Sequence, residues 1–123
     1  MFLHNTNISR SSTKVLKTID VDKSYPLLDL VNKTYKALKT NKNEFWEILK
    51  DSWEAKKKLS LNIMNEELRS IEDKIKKDWK LKYHKLCGAG GGGYFLIMTN
   101  SSEPRINSIK IDIDNKGVTA WDV

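Results

Sequence analysis

Between positions 10 and 79, apolar residues recur at intervals of three and four, the period of an α-helix with one buried face. The repeat predicts four amphipathic helices: one over 10–19, one that starts at Ser24 and Pro26, one opened by Asn43 and one over 66–79. The apolar stripe of the third is wide enough to contact two neighbours. The stripe of the second helix consists of Leu27, Val31, Tyr35 and Leu38.

Segments outside these helices have the pattern of β-strands. Residues 2–4 are short and apolar, and residues 94–98 are apolar at every position, as in an inner strand covered on both faces. Residues 109–113 alternate between isoleucine and polar residues, and the turn at 114–117 precedes a short closing strand at 118–121. We therefore expect an α+β fold in which three or four helices pack on one side of a small, mainly antiparallel sheet.

The composition is that of one globular domain with a modest core. The chain has 123 residues, 39% of them hydrophobic and 31% charged, with four tryptophans. It lacks an apolar run of the roughly 20 residues that a membrane helix needs, and its first residues do not read as a signal peptide, so we expect a cytoplasmic protein. Cys87 is the only cysteine, and the two histidines, His4 and His84, lack metal-ligand spacing, so neither a disulfide nor a metal site is predicted.

The net charge is +6, from 22 basic and 16 acidic residues, and only three of the basic residues are arginines. Proteins that recognise nucleic-acid bases usually need arginine, so nucleic acid is not an expected partner. Interpreting the chain as a nucleic-acid-binding protein would rest on its net charge alone. Basic residues are densest over 74–85. This segment is interpreted either as a solvated helix face or as a surface that steers polyphosphate toward the residues that follow.

A run of glycines directly precedes the apolar segment at 94–98. Five of its six residues are glycine, and the run consists of Gly88, Ala89, Gly90, Gly91, Gly92 and Gly93. Glycine costs more backbone entropy on folding than any other residue, so this run is expected where the main chain needs positive φ or close approach to a ligand. The N–H groups of such a loop can converge on an anion.

Two common nucleotide-binding loops are excluded as explanations of this run. The glycines satisfy G-x-G-x-x-G, but the dinucleotide motif leads into a helix, whereas here a strand is predicted to follow. A Walker A loop would need lysine and serine or threonine where Tyr94 and Phe95 stand. A plain glycine-rich turn between two strands remains the structural alternative.

Residues 85–93, K-L-C-G-A-G-G-G-G followed by an apolar strand, resemble the third conserved motif of the GHMP kinases. Within that superfamily the likeness is closest to the kinases that act on D-glycero-D-manno-heptose 7-phosphate. Residues 2–12 resemble the strand and turn that open the C-terminal half of those enzymes, 52–60 resemble their S-W-x-x-K-K helix, and 117–121 resemble their chain end.

The resemblance implies that residues 1–123 form a single domain, the ferredoxin-like C-terminal lobe of a sugar kinase, without the N-terminal ATP-binding lobe. The last helix of that lobe is expected to be missing, because the segment between Met98 and Ile109 is too short for it. In the complete enzyme, which uses ATP and Mg²⁺, the loop Gly88–Gly93 would form the phosphate side of the site and Arg10 would contact the sugar phosphate. No catalytic residue or metal ligand is assigned to this chain, and neither cofactor is expected to bind it tightly alone.

The partners implied are the N-terminal lobe or a second copy of the chain, together with a sugar phosphate substrate. The alternative is a non-catalytic interaction module or remnant that binds a separately encoded N-terminal half or another protein. Simpler interpretations of single residues also stand. Arg10 could be an ordinary surface arginine, Lys56 to Lys58 one exposed helical turn and Cys87 a packed side chain, while His84 has no carboxylate nearby in sequence to orient it.

Overall fold

A computed structural model describes residues 1–40 and 42–117 of the chain, without the side chain of Lys42. The described part has four strands, four α-helices and one short 3₁₀ turn, which confirms the α+β class and the antiparallel sheet. In chain order these are β1 (Phe2–Asn5), α1 (Ser12–Leu16), the 3₁₀ turn (Asp22–Ser24), α2 (Tyr25–Thr40), α3 (Lys42–Lys57), α4 (Glu66–Asp78), β2 (Leu81–Leu86), β3 (Tyr94–Thr99) and β4 (Ser108–Lys110).

The four strands form one antiparallel sheet in the order β2-β3-β1-β4. β3 is an inner strand, as predicted, but only one of its faces is buried: Phe95 and Ile97 are buried, whereas Tyr94 is 42% exposed. Asn5, at the end of β1, pairs with Tyr94, at the start of β3. The chain therefore leaves β1 beside the glycine run that leads into β3, and this pairing positions the site described below.

The core lies between one face of the sheet and the helices. Phe2, Leu86, Phe95 and Ile97 are at most 1% exposed on that face. Helix α4 contributes Leu68 and Ile75 to this core, and the ring of Trp79, just after the helix, lies 4.8 Å from the ring of Phe2, centroid to centroid. Asn65 caps α4 by accepting a hydrogen bond from the Leu68 N–H.

The first helix is shorter than the predicted 10–19. Ser11 caps it with its side chain, but α1 ends at Leu16. The N–H groups of Thr18 and Ile19 then donate to carbonyls three residues earlier in the chain, and the N–H of Asp20 donates to the carbonyl of Leu59. This long-range bond draws the chain out of the helical path, which a local pattern could not reveal.

The period of α2 predicted the helix correctly but not its buried face. The residues that are half-buried or buried are Leu27, Leu30, Thr34 and Ala37. Only Leu27 of the predicted stripe is among them. The neighbouring face carries four side chains that are 60–63% exposed, named here the α2 stripe: Leu28, Val31, Tyr35 and Leu38.

Two further expectations are corrected by the strands. The basic segment 74–85 is not one helical face, because Lys82 and Lys85 lie on β2. Of the half-exposed strand predicted over 109–113, only the first two residues belong to β4, and the closing strand predicted at 118–121 lies outside the described residues. No helix forms over residues 100–107, as the short spacing between Met98 and Ile109 predicted.

Candidate anion-binding site at the glycine loop

The glycine loop, residues 88–93, connects β2 to β3. All five of its glycines have positive φ, from +71° at Gly88 to +151° at Gly92, as the sequence predicted. The loop is fixed to the exit of β1, because both the N–H and the hydroxyl of Thr6 donate to the Gly93 carbonyl, at 2.9 and 2.8 Å.

The inner side of the loop packs against the chain itself. The N–H of Gly91 donates to the Ile63 carbonyl at 2.9 Å, and that of Gly93 donates to the Ile8 carbonyl at 3.1 Å. A Cβ atom at Gly90 would lie 2.8 Å from the Ile63 Cα, and one at Gly92 would collide with the Ile8 carbonyl. Internal packing alone therefore explains the absence of side chains on this inner part of the loop.

The outer side of the loop, by contrast, has main-chain N–H groups without a hydrogen-bond partner in the described chain. The N–H groups of Gly88 and Ala89 form no hydrogen bond within residues 1–40 and 42–117. Gly88 is exposed and Ala89 is half-buried. Because Gly90 and Gly92 are buried, these two donors are the part of the loop that an external acceptor can reach.

Two cationic side chains flank the outer side of the loop. The guanidinium of Arg10 lies over Gly88 and Gly93, with its Nε 3.5 Å from the position that a Gly93 Cβ would occupy. It also donates to the Ser12 hydroxyl at 2.9 Å. Lys56 donates from Nζ to the Gly88 carbonyl at 2.6 Å.

Helix α3 delivers Lys56 to this position. Trp53, 2% exposed, anchors the last turns of α3 in the core, and Lys56 follows it by three residues, so both lie on one side of the helix. Because α3 contacts β2, and β2 leads into the loop, the side chain of Lys56 reaches Gly88.

The positive charge at the loop is not neutralised by the described chain. Burial lowers the pKa of the Lys56 ammonium, the charges of Lys85 and Arg10 lower it further, and Cys87 acts in the opposite direction. In the described part of the chain, no carboxylate lies within 4.0 Å of the side-chain nitrogens of Arg10, Lys56 or Lys85. A bound anion would supply the missing charge.

A small open pocket of about 300 Å³ adjoins the loop. Arg10 and Gly91 belong to it, so it is continuous with the cationic surface. Its lining consists of Arg10, Ser11, Lys14, Val15, Asn62, Asn65 and Gly91. The pocket thus offers hydroxyl, amide and cationic groups, and its lining holds no carboxylate and no aromatic ring.

The fold brings together Arg10 and the glycine loop, which are the predicted site residues. Lys56 was interpreted from the sequence as part of one exposed helical turn and was not assigned to the site, whereas Lys85 belongs to the segment 74–85, for which steering of polyphosphate toward the loop was one of two interpretations. Two signals for Lys56 were its spacing of three from a tryptophan predicted to be buried and its place in the segment that resembles the S-W-x-x-K-K helix.

A second polar cluster lies apart from the loop, around the buried carboxylate of Glu72, which is 4% exposed. Glu72 accepts hydrogen bonds from the Trp53 indole N–H at 2.9 Å and from Lys57, whose Nζ lies 3.3 Å from Oε1. The Nε2 of His84 lies 2.8 Å away, and Lys76 adds an ion pair at 3.4 Å. The cluster ties α3, α4 and β2 together, and it supplies His84 with the carboxylate that no nearby sequence position offered.

Glu72 gives the stability of the fold a predictable dependence on pH. Burial raises the pKa of this carboxyl, but the hydrogen bonds from His84 and Trp53 and the charges of Lys57 and Lys76 outweigh burial and hold it well below the usual glutamate range. The pKa of Glu72 is thus lower in the folded state than in the unfolded state. The stabilisation that the ionised carboxylate gives the fold is therefore complete above about pH 4.5 and is lost as the pH falls below that value.

We expect the stability difference between the wild-type protein and Glu72→Gln, measured by urea unfolding, to shrink between about pH 6 and about pH 3. A difference that stays constant over this range would show that the charge of Glu72 does not stabilise the fold.

No protein-family model matches the chain, and no curated protein is significantly similar to it in sequence. Over residues 1–40 and 42–117, no group of three or more His, Cys, Asp or Glu side chains is arranged to hold a metal ion. The same residues include no helix of the length and apolarity needed to cross a bilayer.

Proposed function

We propose that residues 1–123 form the C-terminal lobe of an ATP-dependent, GHMP-type sugar kinase of the heptose-phosphate kind, acting in the cytoplasm. The observation that carries the proposal is that Arg10 and Lys56 both lie at Gly88, with no carboxylate of the described residues within 4.0 Å of either side chain, in a loop where the Gly88 and Ala89 N–H groups have no partner in the described chain. The four sequence motifs that resemble this superfamily support it, since the glycine motif lies at this surface.

Phosphoryl transfer depends mainly on positioning and on stabilising the charge that spreads over the transferred group. Cations and oriented N–H groups meet that requirement, and this lobe has both. Its role would be to hold the phosphate side of the reaction and to orient the sugar, while the residue that activates the acceptor hydroxyl would belong to the N-terminal lobe.

ATP and Mg²⁺ would be held mainly by that other lobe. Mg²⁺ prefers carboxylate oxygens, whereas the side chains of the described residues at the loop are cationic. Phosphate suits these residues, and the metal does not. The N-terminal lobe is therefore the partner that the proposal requires.

The kinase proposal is tested by adding the chain to the N-terminal lobe of a GHMP-type heptose kinase and measuring ADP release. We expect ADP release that depends on a sugar phosphate. We expect Arg10→Ala to reduce the rate at least about tenfold, because it removes the cation that would hold the phosphate of the sugar substrate and so position the sugar. Arg69→Ala is the matched control, since Arg69 is an exposed arginine on α4.

Equal rates for the two variants would argue against the assigned role of Arg10. The absence of both ADP release and a complex would overturn the kinase proposal.

A second candidate function is an interaction module, and the α2 stripe favours it. Its four apolar side chains are 60–63% exposed on one helix, and contiguous exposed apolar surface often marks a docking site. On this interpretation the chain binds an N-terminal kinase lobe without contributing to catalysis. A stable complex that releases no ADP in the same experiment would favour this candidate over the kinase.

A further inference from the structure

We propose that the α2 stripe is the surface on which two copies of this chain pair, with their α2 helices antiparallel. The proposal does not depend on the kinase function, because it involves neither Arg10 nor the glycine loop. It competes with the second candidate function, since it assigns the stripe to a second copy of the chain instead of an N-terminal lobe.

The packing of α2 leaves the stripe uncovered. Within the described chain, the extensive contacts of this helix are with α3 and with the short 3₁₀ turn that precedes it. The stripe lies on the face beside those contacts, and its four large apolar side chains are 60–63% exposed. Removing such a surface from water is favourable, so a partner with an apolar face is expected there.

The order of residues along the stripe makes it complementary to itself. The spacings are three, four and three, which is the a/d pattern of a two-stranded coiled coil and reads alike from both ends. In an antiparallel pair centred at position 33, Leu28 meets Leu38 of the other copy. Val31 meets Tyr35 in the same way, so a small side chain faces a large one. A two-fold dimer of identical chains requires a surface of this kind.

The charges along α2 favour the antiparallel arrangement over the parallel one. Asp22 and Asp29 lie just before the helix and in its first half, whereas Lys36 and Lys39 lie near its end, and all four are exposed. None of the four forms an ion pair within the described chain. Antiparallel pairing brings the acidic end of each copy to the basic end of the other, and parallel pairing would bring like charges together.

The exposed area of the stripe is sufficient for a weak dimer. From their exposed fractions, the four side chains offer roughly 500 Å² on each copy, or about 1,000 Å² for the pair, which is the lower limit for a specific interface. We therefore expect a Kd on the order of 10–100 μM. The chain is then monomeric in dilute solution and dimeric at high concentration.

The proposal is tested by sedimentation equilibrium of the full chain from about 5 to about 500 μM. The measured mass is expected to rise with concentration from that of one chain toward that of two. Leu38→Glu is expected to weaken the dimer at least about tenfold, because it places a charge in the apolar contact. Leu61→Glu is the matched control, since Leu61 is 85% exposed, lies outside α2 and undergoes the same substitution. Circular dichroism checks that both variants keep their helices.

Exchanging charges tests the antiparallel arrangement. Lys36→Glu with Lys39→Glu makes both ends of α2 acidic, and Asp22→Lys with Asp29→Lys makes both ends basic. In an antiparallel dimer each double variant alone opposes like charges, so each is expected to pair at least about fivefold more weakly at low salt. A mixture of the two is expected to pair as tightly as the wild type. In a parallel dimer neither variant alone would weaken pairing, because like charges already oppose each other.

Four results would overturn the proposal. A mass of one chain at about 500 μM would exclude the dimer, and equal dimerisation of Leu38→Glu and Leu61→Glu would exclude the stripe as its surface. Charge variants that each dimerise as the wild type does would exclude the antiparallel arrangement. Loss of the dimer on adding an N-terminal kinase lobe, with a lobe complex that Leu38→Glu abolishes, would assign the stripe to that lobe. ADP release in the mixed lobes tests the kinase proposal separately from all four.

Discussion

Replacing Glu72 by glutamine is expected to lower the free energy of unfolding by about 3 kcal/mol at neutral pH. The substitution keeps the size of the side chain and removes its charge. It would leave Lys57, whose side chain is 12% exposed, without its buried carboxylate, and it would weaken the hydrogen bonds from Trp53 and His84. Urea unfolding, followed by tryptophan fluorescence, measures the change.

Glu54→Gln is the matched control for this prediction. Glu54 pairs with the same Lys57 at 2.6 Å, but its side chain is 58% exposed. Ion pairs at the surface contribute little, so the control is expected to change the free energy of unfolding by less than about 1 kcal/mol. Equal losses for the two variants would mean that burial of the carboxylate does not determine the strength of the cluster.

Replacing Gly92 by alanine is expected to cost about 3 kcal/mol of unfolding free energy. Gly92 has a φ of +151°, and an added Cβ would collide with the main-chain carbonyl of Ile8. A backbone atom cannot move aside as a flexible side chain does, so the loop and the segment after β1 would have to separate. The same urea unfolding measurement detects the loss.

Gly117→Ala provides the comparison for Gly92. Its φ of +71° is also positive, but a Cβ there would meet no atom of the described chain within 4 Å. Its expected cost is therefore only that of the backbone conformation, about 1 kcal/mol. If Gly92→Ala costs no more than Gly117→Ala, the loop is not packed against Ile8 as described.

The candidate site shows how far local sequence signals reach. The glycine run predicted positive φ, because that conformation is a property of each residue and its neighbours in the chain. The run could not reveal that Gly90 to Gly92 are required by packing against Ile8 and Ile63, while Gly88 and Ala89 keep free N–H groups. That division depends on which distant segments the loop contacts.

The sequence by itself determined the class of the fold, the periods of the helices, the inner strand at Tyr94–Thr99 and the glycine conformations. Tertiary structure alone decided that the α2 stripe points away from the core, that Lys56 reaches Gly88 and that Glu72 meets His84. The physical reason is that hydrophobic period and backbone preference act over a few neighbouring residues. The choice between two apolar helix faces, and the meeting of charges from three elements, follows from packing across the whole chain.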